Sequence, residues 1–341
     1  MKIRASVGTL VILGVKRVKL NANPTTLYLM VNERCMYNCA YCPQAKNSRG
    51  SPGNLSCVVW PEIDWETLKI TMLQKTTLYK RICFQVVNGS HFFINLMFFL
   101  KDIKKPFEEY KLSVPVSVSA RLQSIEKLKE IFDAGVERAV LPLDVASESY
   151  FPKLRGGDFK KCLDFILNAS RQFPGRIITH LIVGLWERDI ELYNLMKLFS
   201  DNGITVGLFS FTPVKGTRLE NLKPPSLTRY RRIQLLRYLL FKGINFEPLF
   251  DENGEIILIS SLGVGETLGK NQSFSNLVLE VLKDPAIFVT SGCPHCNRPY
   301  YNETPSGPIF NYPFVPDENI LRGIISTFID KVSENEIRFK T

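Results

Sequence analysis

Residues 27–44, LYLMVNERCMYNCAYCPQ, set a short apolar run, Leu27 to Val31, directly before a loop that carries Cys35, Cys39 and Cys42. The run is apolar on both alternating faces, as a buried parallel strand is, and too short for an ordinary helix. Runs of the same kind recur at Ile82 to Val87, Val114 to Val118, Ala139 to Leu143, Ile177 to Val183 and Val206 to Phe211. Helical patterns lie between them. Ile125 to Ala134 is apolar at Ile125, Leu128, Ile131 and Phe132 and is closed by Gly135. Asp158 is placed to cap a helix over Phe159 to Gln172, and Ile190 to Asn202 runs into Gly203. This alternation predicts an α/β fold, a partial (βα)6 TIM-like barrel whose chemistry sits at the carboxyl ends of its strands. The cysteine loop falls at such an end.

The chain of 341 residues is 45% hydrophobic and 22% charged, which excludes a disordered or collagen-like protein. Its length admits two domains, or one barrel with an appendage. Lys plus Arg exceed Asp plus Glu by 43 − 33 = 10. That excess admits an acidic partner, but no nucleic-acid module is recognisable. No stretch approaches the roughly 20 apolar residues of a membrane span. The N-terminal candidate, Ala5 to Val15, is interrupted by Gly8, Thr9 and Gly14 with no cleavage pattern after it. The expectation is a cytoplasmic protein with no signal peptide and no membrane association. Eight cysteines are too few for a disulfide scaffold of this size, and their clustering reads as metal or redox chemistry.

Three segments follow from the pattern: a lead at 1–22, the barrel at 23–243 and an extension at 244–341. The extension predicts a hairpin over Glu247 to Ile259 turning at Asp251-Glu252-Asn253-Gly254, a helix near Asn276 to Leu282, and a last helix from Asp317. Between these helices, Ser291 to Pro316 is rich in turn residues and aromatics and carries Cys293-Pro294-His295-Cys296. It reads as an ordered C-terminal cap with a CxxC segment over the barrel mouth.

Three thiolates can hold a four-iron cluster while leaving one iron open to a small molecule. The C-x3-C-x2-C spacing, with Tyr41 before the third cysteine and a strand before the first, resembles the radical S-adenosylmethionine superfamily. The bland alternative is a structural zinc staple of Cys39, Cys42, Cys293 and Cys296, which leaves Cys35 idle. Cys42-Pro43-Gln44, Leu181 to Glu187 and Pro213 to Thr217 are similar to the biotin synthase branch. That resemblance implies that Tyr41 lies against adenine, that Gln85 and Val86 hold the methionine amino group, and that Asp144 bonds the ribose hydroxyls. It also implies cofactor contacts from Ile182 and Glu187, although Glu187 could simply brace its loop.

The biotin synthase match breaks at its second cluster. Cys83 occupies the first ligand position, but the next two fall near Val116 and Ile178, which cannot bind iron. Cys293 and Cys296 read instead as two thiolates of an auxiliary iron–sulfur cluster, with Cys83 a candidate third and a non-cysteine fourth. Pro299 argues against the helix that a thioredoxin-like pair needs. A biotin-synthase-like barrel with this tail is similar to the two-protein lipoyl synthases of archaea and some bacteria. The resemblance implies sulfur insertion into a protein-bound octanoyl chain, using S-adenosylmethionine, a four-iron cluster and a sacrificed auxiliary cluster. The implied partners are an octanoylated lipoyl-carrier protein, a homologous second subunit, and an electron donor such as ferredoxin or flavodoxin. The rivals are another small-molecule enzyme of the superfamily, such as a methyl mutase, a tRNA sulfur inserter, and a zinc-stapled interaction protein. Cys57 and Cys162 read as incidental thiols, His180 as a core histidine, and Arg229 to Arg232 as a solvated basic face for docking.

Overall fold

A computed structural model describes residues 1–32, 34–260 and 281–326. Its main sheet places six strands in parallel and in chain order: Thr26–Val31, Arg81–Val86, Val116–Ser119, Val136–Val140, Ile177–Val183 and Thr205–Ser210. These are the six expected runs, shifted by no more than three residues at either end. The sheet is mixed, because Lys2–Ala5 joins Thr26–Val31 antiparallel and Glu62–Asp64 joins beyond it. Both added strands are short and half exposed, so neither shows as a buried run. The stretch expected as a lead thus contributes a strand to the sheet. The whole is a partial α/β barrel.

Helices form where the sequence supplies caps. Ser124 accepts from the Lys127 amide and starts Ile125–Asp133, and Gly135 follows at a φ of 96°. Asp158 accepts from the Lys161 amide at 2.9 Å and starts Phe159–Gln172. Each helix buries one face on the sheet: Leu128, Ile131 and Phe132 in the first, Ile166 and Ala169 in the second. The helix Asp189–Asp201 closes in the same way before Gly203.

The hairpin is present as Glu247–Phe250 and Ile256–Ser260. Of the helix expected near Asn276 to Leu282, residues 276–280 lie outside the described residues and 281–282 are helical. The last helix starts after Asp317, whose carboxylate accepts from the Ile320 amide at 2.9 Å. Residues 291–316 hold little regular structure, as expected, but their location differs from the expected cap over the mouth. They run along the seam between the first and last parallel strands. The Leu208 amide donates to Ser291 Oγ at 2.9 Å on one side, and the Thr25 amide donates to Asn297 Oδ1 at 3.0 Å on the other.

Arg229 to Arg232 do not form a solvated basic face. Their helix, Leu227–Phe241, is wedged between barrel and tail, with Tyr230, Ile233, Leu235, Leu236 and Leu239 buried. Its cations therefore serve groups that lost water. Arg229 pairs with Glu187 and Asp189, and Arg232 donates to the Ile256 carbonyl. Arg231, 1% exposed, donates to the carbonyls of Ile309 and Phe310 at 2.5 Å each. Replacing Arg231 by Met should leave the Ile309 carbonyl without that donor and the Phe310 carbonyl with Gln234 alone, at roughly 1–3 kcal/mol in all. Urea unfolding should show that loss, and limited proteolysis should cut the variant first within 291–316. An unchanged midpoint and cleavage pattern would show that the tail is held by other contacts.

Candidate active site

The cysteine loop is built from inside by one side chain. Gln44, 1% exposed, donates through Nε2 to the carbonyls of Pro52 and Asn54 and accepts from the Arg34 amide. The Gln44 carbonyl accepts from the Cys35 amide at 2.7 Å. Outside the loop, the Met36 amide reaches the Asn88 carbonyl and the Ala40 amide reaches that of Leu154. The Pro213 to Thr217 stretch supports the loop from beneath. The Gly216 carbonyl accepts from the Arg49 amide at 2.9 Å, and a Cβ on Gly216 would fall 2.3 Å from the Gly50 nitrogen. Only glycine permits that approach, and its φ of 86° favours it too.

Cys35, Cys39 and Cys42 face one cavity at the carboxyl ends of the strands, with Tyr41, Gln85, Val86, Asp144 and Ile182 also in its wall. Burial pushes the Cys35 and Cys42 thiols up from their ordinary range. Tyr41 Oη donates to Asp144 Oδ2 at 2.7 Å, and Arg155 Nη1 reaches the same oxygen at 3.1 Å. Asp144 holds a left-handed φ of 63°, and its amide donates to the His180 carbonyl. The Ile182 amide donates back to the Asp144 carbonyl. A ligand contact from Ile182 must then use another part of the residue. Gln85 donates through Nε2 to Cys83 Sγ at 3.0 Å.

Glu187 is not brought to this cavity. Its carboxylate accepts from the Gly184 and Leu185 amides at 2.8 and 2.7 Å and pairs with Arg229. Burial raises its pKa, with Arg229 opposing. It braces the loop after Ile177–Val183, and the expected cofactor contact gives way to that role.

The second group of thiols enters the cavity from the other end of the barrel. Arg81, the first residue of its strand, donates through Nε to the Pro294 carbonyl at 2.9 Å. Cys296 Sγ lies 3.4 Å from Tyr28 Oη, which also accepts from the Arg298 amide. Cys83, Cys293 and Cys296 all line the cavity. Burial, reinforced by the neighbouring thiols, pushes Cys83 up to about 11 and Cys293 to about 12. The two cysteine groups therefore face one cavity from opposite ends of the strands. The same wall carries Val140, Phe209, Phe211 and Tyr301, together with the polar Gln85, Ser119, His180 and Arg298.

Among the described residues, no three His, Cys, Asp or Glu side chains converge as ligands of a single metal ion. The zinc staple is thus not preassembled. Charged residues of the cavity escaped the sequence reading. Arg121 and Arg155 sit at its rim, and the Nε of each is buried without a hydrogen-bond partner. Arg298 lies with its guanidinium 3.9 Å from the Phe209 ring centre. Their position on loops at strand carboxyl ends was the available signal for the first two. His180 also lines the cavity, packed edge-on against Phe209 at 4.6 Å.

No family model matches the chain. It is 25% identical over 190 residues to a lipoyl synthase of Buchnera aphidicola subsp. Schizaphis graminum, covering 53% of this chain and 55% of that protein. The chain thus spans about half the length of that relative. It is 25% identical over 236 residues to a biotin synthase of Clostridium acetobutylicum, covering 66% and 68%. Among solved structures, HydG, a maturase of the FeFe-hydrogenase, superposes with a TM-score of 0.51 at 14% identity, over 64% of this chain and 50% of that one. That likeness is one of fold. The sequence similarities are thus to a lipoyl synthase and a biotin synthase, each at 25% identity, and the structural likeness is to the partial α/β barrel.

Burial, then Arg298 and Arg155, hold the His180 pKa well below its ordinary 6.5. With the folded value depressed, the unfolded chain takes up the proton first, so stability is full above about 6.5 and falls as pH drops below it. Melting of the cluster-free chain between pH 7.5 and 5.5 should show this slope, and His180→Phe should flatten it. Parallel curves for the two proteins would place the titration elsewhere.

Proposed function

We propose that this chain is a radical S-adenosylmethionine enzyme that inserts sulfur into an aliphatic carbon of an octanoyl chain carried on a protein lysine. The observation that carries this reading is the one cavity with thiols at both ends and a mostly apolar wall. Cys35, Cys39 and Cys42 would hold one four-iron cluster, and Cys293 and Cys296 would belong to a second. When bound, the first supplies the electron that releases a 5′-deoxyadenosyl radical from S-adenosylmethionine, and the second supplies sulfur.

The chain's own residues would position these reactants. The Asp144 carboxylate, held by Arg155 and Tyr41, would accept from ribose hydroxyls. Arg121 and Arg155 offer buried nitrogens for an anionic carboxylate. Val140, Ile182 and Phe209 would grip an alkyl chain, which offers no polar handle, and keep water from the radical. Among the described residues no helix is long and apolar enough to cross a membrane. The carrier protein, a homologous second subunit, a ferredoxin or flavodoxin donor and a cytoplasmic setting belong to the same proposal. The docking face for an acidic carrier must lie away from Arg229 to Arg232, which are engaged internally.

The test offers an octanoyl-lysine peptide, with and without a homologous partner protein, and follows 5′-deoxyadenosine and peptide mass. The intact chain should form 5′-deoxyadenosine and add one or two sulfurs. Cys39→Ala should reduce both to background. Cys296→Ala should keep 5′-deoxyadenosine and lose the mass gain. Continued 5′-deoxyadenosine formation with no sulfur gain by the intact chain, but turnover of a small metabolite, would favour a mutase instead.

A further inference from the structure

Four loops meet at the carboxyl end of the barrel, and their outer surface is basic. Arg218 ties three of them together: its Nη2 donates to the Asn38 carbonyl of the cysteine loop at 2.8 Å and to the Lys153 carbonyl at 3.3 Å. The Arg49 amide bonds the Gly216 carbonyl beside it, and Lys153 Nζ lies 5.6 Å from the Trp186 ring centre. Lys46, Arg49, Lys153 and Arg218 are all exposed, and among the described residues none of the four forms an ion pair. No acidic residue occurs within 34–50 or 212–219. The nearest carboxylates are taken: Glu220 accepts from the Gly216 amide at 2.6 Å, and Glu187 is buried against Arg229.

Trp186 gives this surface an apolar centre. It is 41% exposed and holds a left-handed φ of 68°, a costly conformation for so bulky a residue. Tyr150, 39% exposed, packs against it with ring centres 5.4 Å apart. Exposed aromatic rings rimmed by cations are the composition that protein interfaces concentrate. A ring already engaged by Tyr150 and Lys153 suits an anchor in such an interface better than an open platform for stacking a base.

We propose that this surface docks the acidic folded domain that carries the octanoyl-lysine, with Trp186 as its anchor and Lys46, Arg49 and Lys153 as its charged rim. This rests on the proposed function and supplies the docking face that Arg229 to Arg232 cannot provide. A carrier seated here stands over the cysteine loop, whose Tyr37 and Cys39 line the cavity. Its carboxylates meet cations with no competing acid beside them, which steers the encounter, while the buried ring slows escape.

The full chain is reconstituted anaerobically and reduced with dithionite, so that no protein electron donor is present. Binding of an octanoylated carrier domain is measured beside sulfur gain on that domain and on a short octanoyl-lysine peptide. The intact chain's affinity for the carrier should fall as salt rises, because exposed charges are screened. Lys46→Glu, Arg49→Glu and Lys153→Glu together should weaken carrier binding about tenfold at low salt and remove most of its salt dependence. Trp186→Ala should weaken it about tenfold at every salt concentration. Neither variant should change the 5′-deoxyadenosine formed without substrate, or KM for the peptide. Carrier binding unchanged in both variants, or an equal loss on the peptide, would overturn the proposal. So would a defect that appears only when flavodoxin replaces dithionite, or tRNA that outcompetes the carrier on the intact chain and not on the reversed one. A peptide that gains sulfur beside a carrier that does not bind would sink the docking surface alone. No sulfur gain on either substrate, with or without a homologous partner protein, would instead sink the wider reading.

Discussion

The tail's position is decided at one turn of the helix Leu227–Phe241, where Tyr230, Arg231 and Gln234 hold the backbone and side chains of residues 309–311. Arg231 does this in a site that water does not reach. Burial pulls its pKa down to about 10, still high enough to stay charged at neutral pH. The Phe288 and Tyr312 rings, each 5.3 Å from the guanidinium, add to its stabilisation. With 309–311 fixed there and Asn297 fixed at Thr25, the segment between them has little freedom in how it crosses the seam. Cys293 and Cys296 precede that segment and are held toward the amino ends of the strands by the bonds of Ser291 to Leu208 and of the Pro294 carbonyl to Arg81.

On the proposed function, that geometry would answer the problem posed by the missing interior ligands. Biotin-synthase-like chemistry needs a sulfur source facing the radical site across the substrate, yet Val116 and Ile178 occupy strand positions that cannot bind iron. On the proposed function, the donors would come from the tail rather than from further strands. The substrate carbon would lie between the two groups of thiols, in the stretch walled by Val140, Phe209 and Tyr301.

Much of this was legible in the sequence, for identifiable reasons. The six parallel strands are largely buried, so most of them write predominantly apolar runs, and the capped helices announce their starts through Ser124 and Asp158. The thiol spacing at Cys35, Cys39 and Cys42 was visible because all three lie on one local loop. The tail was not legible in the same way. The bond between Thr25 and Asn297 joins residues 272 apart and leaves no periodic trace. For the same reason Arg229 to Arg232 read as solvated, because a charge run gives no sign that backbone carbonyls will come to meet it. Glu187 lay in a loop that resembled a cofactor contact, but two adjacent amides and Arg229 claim it first. The strands Lys2–Ala5 and Glu62–Asp64 were too short and too exposed to stand out.

The central claim is that one chain builds two cluster sites facing a single cavity. Its most direct test is the iron and acid-labile sulfide content of the intact chain after anaerobic reconstitution and desalting. Two four-iron clusters require about eight iron and about eight sulfide per chain. About four of each, with the remainder of the metal absent or present as zinc, would contradict the account.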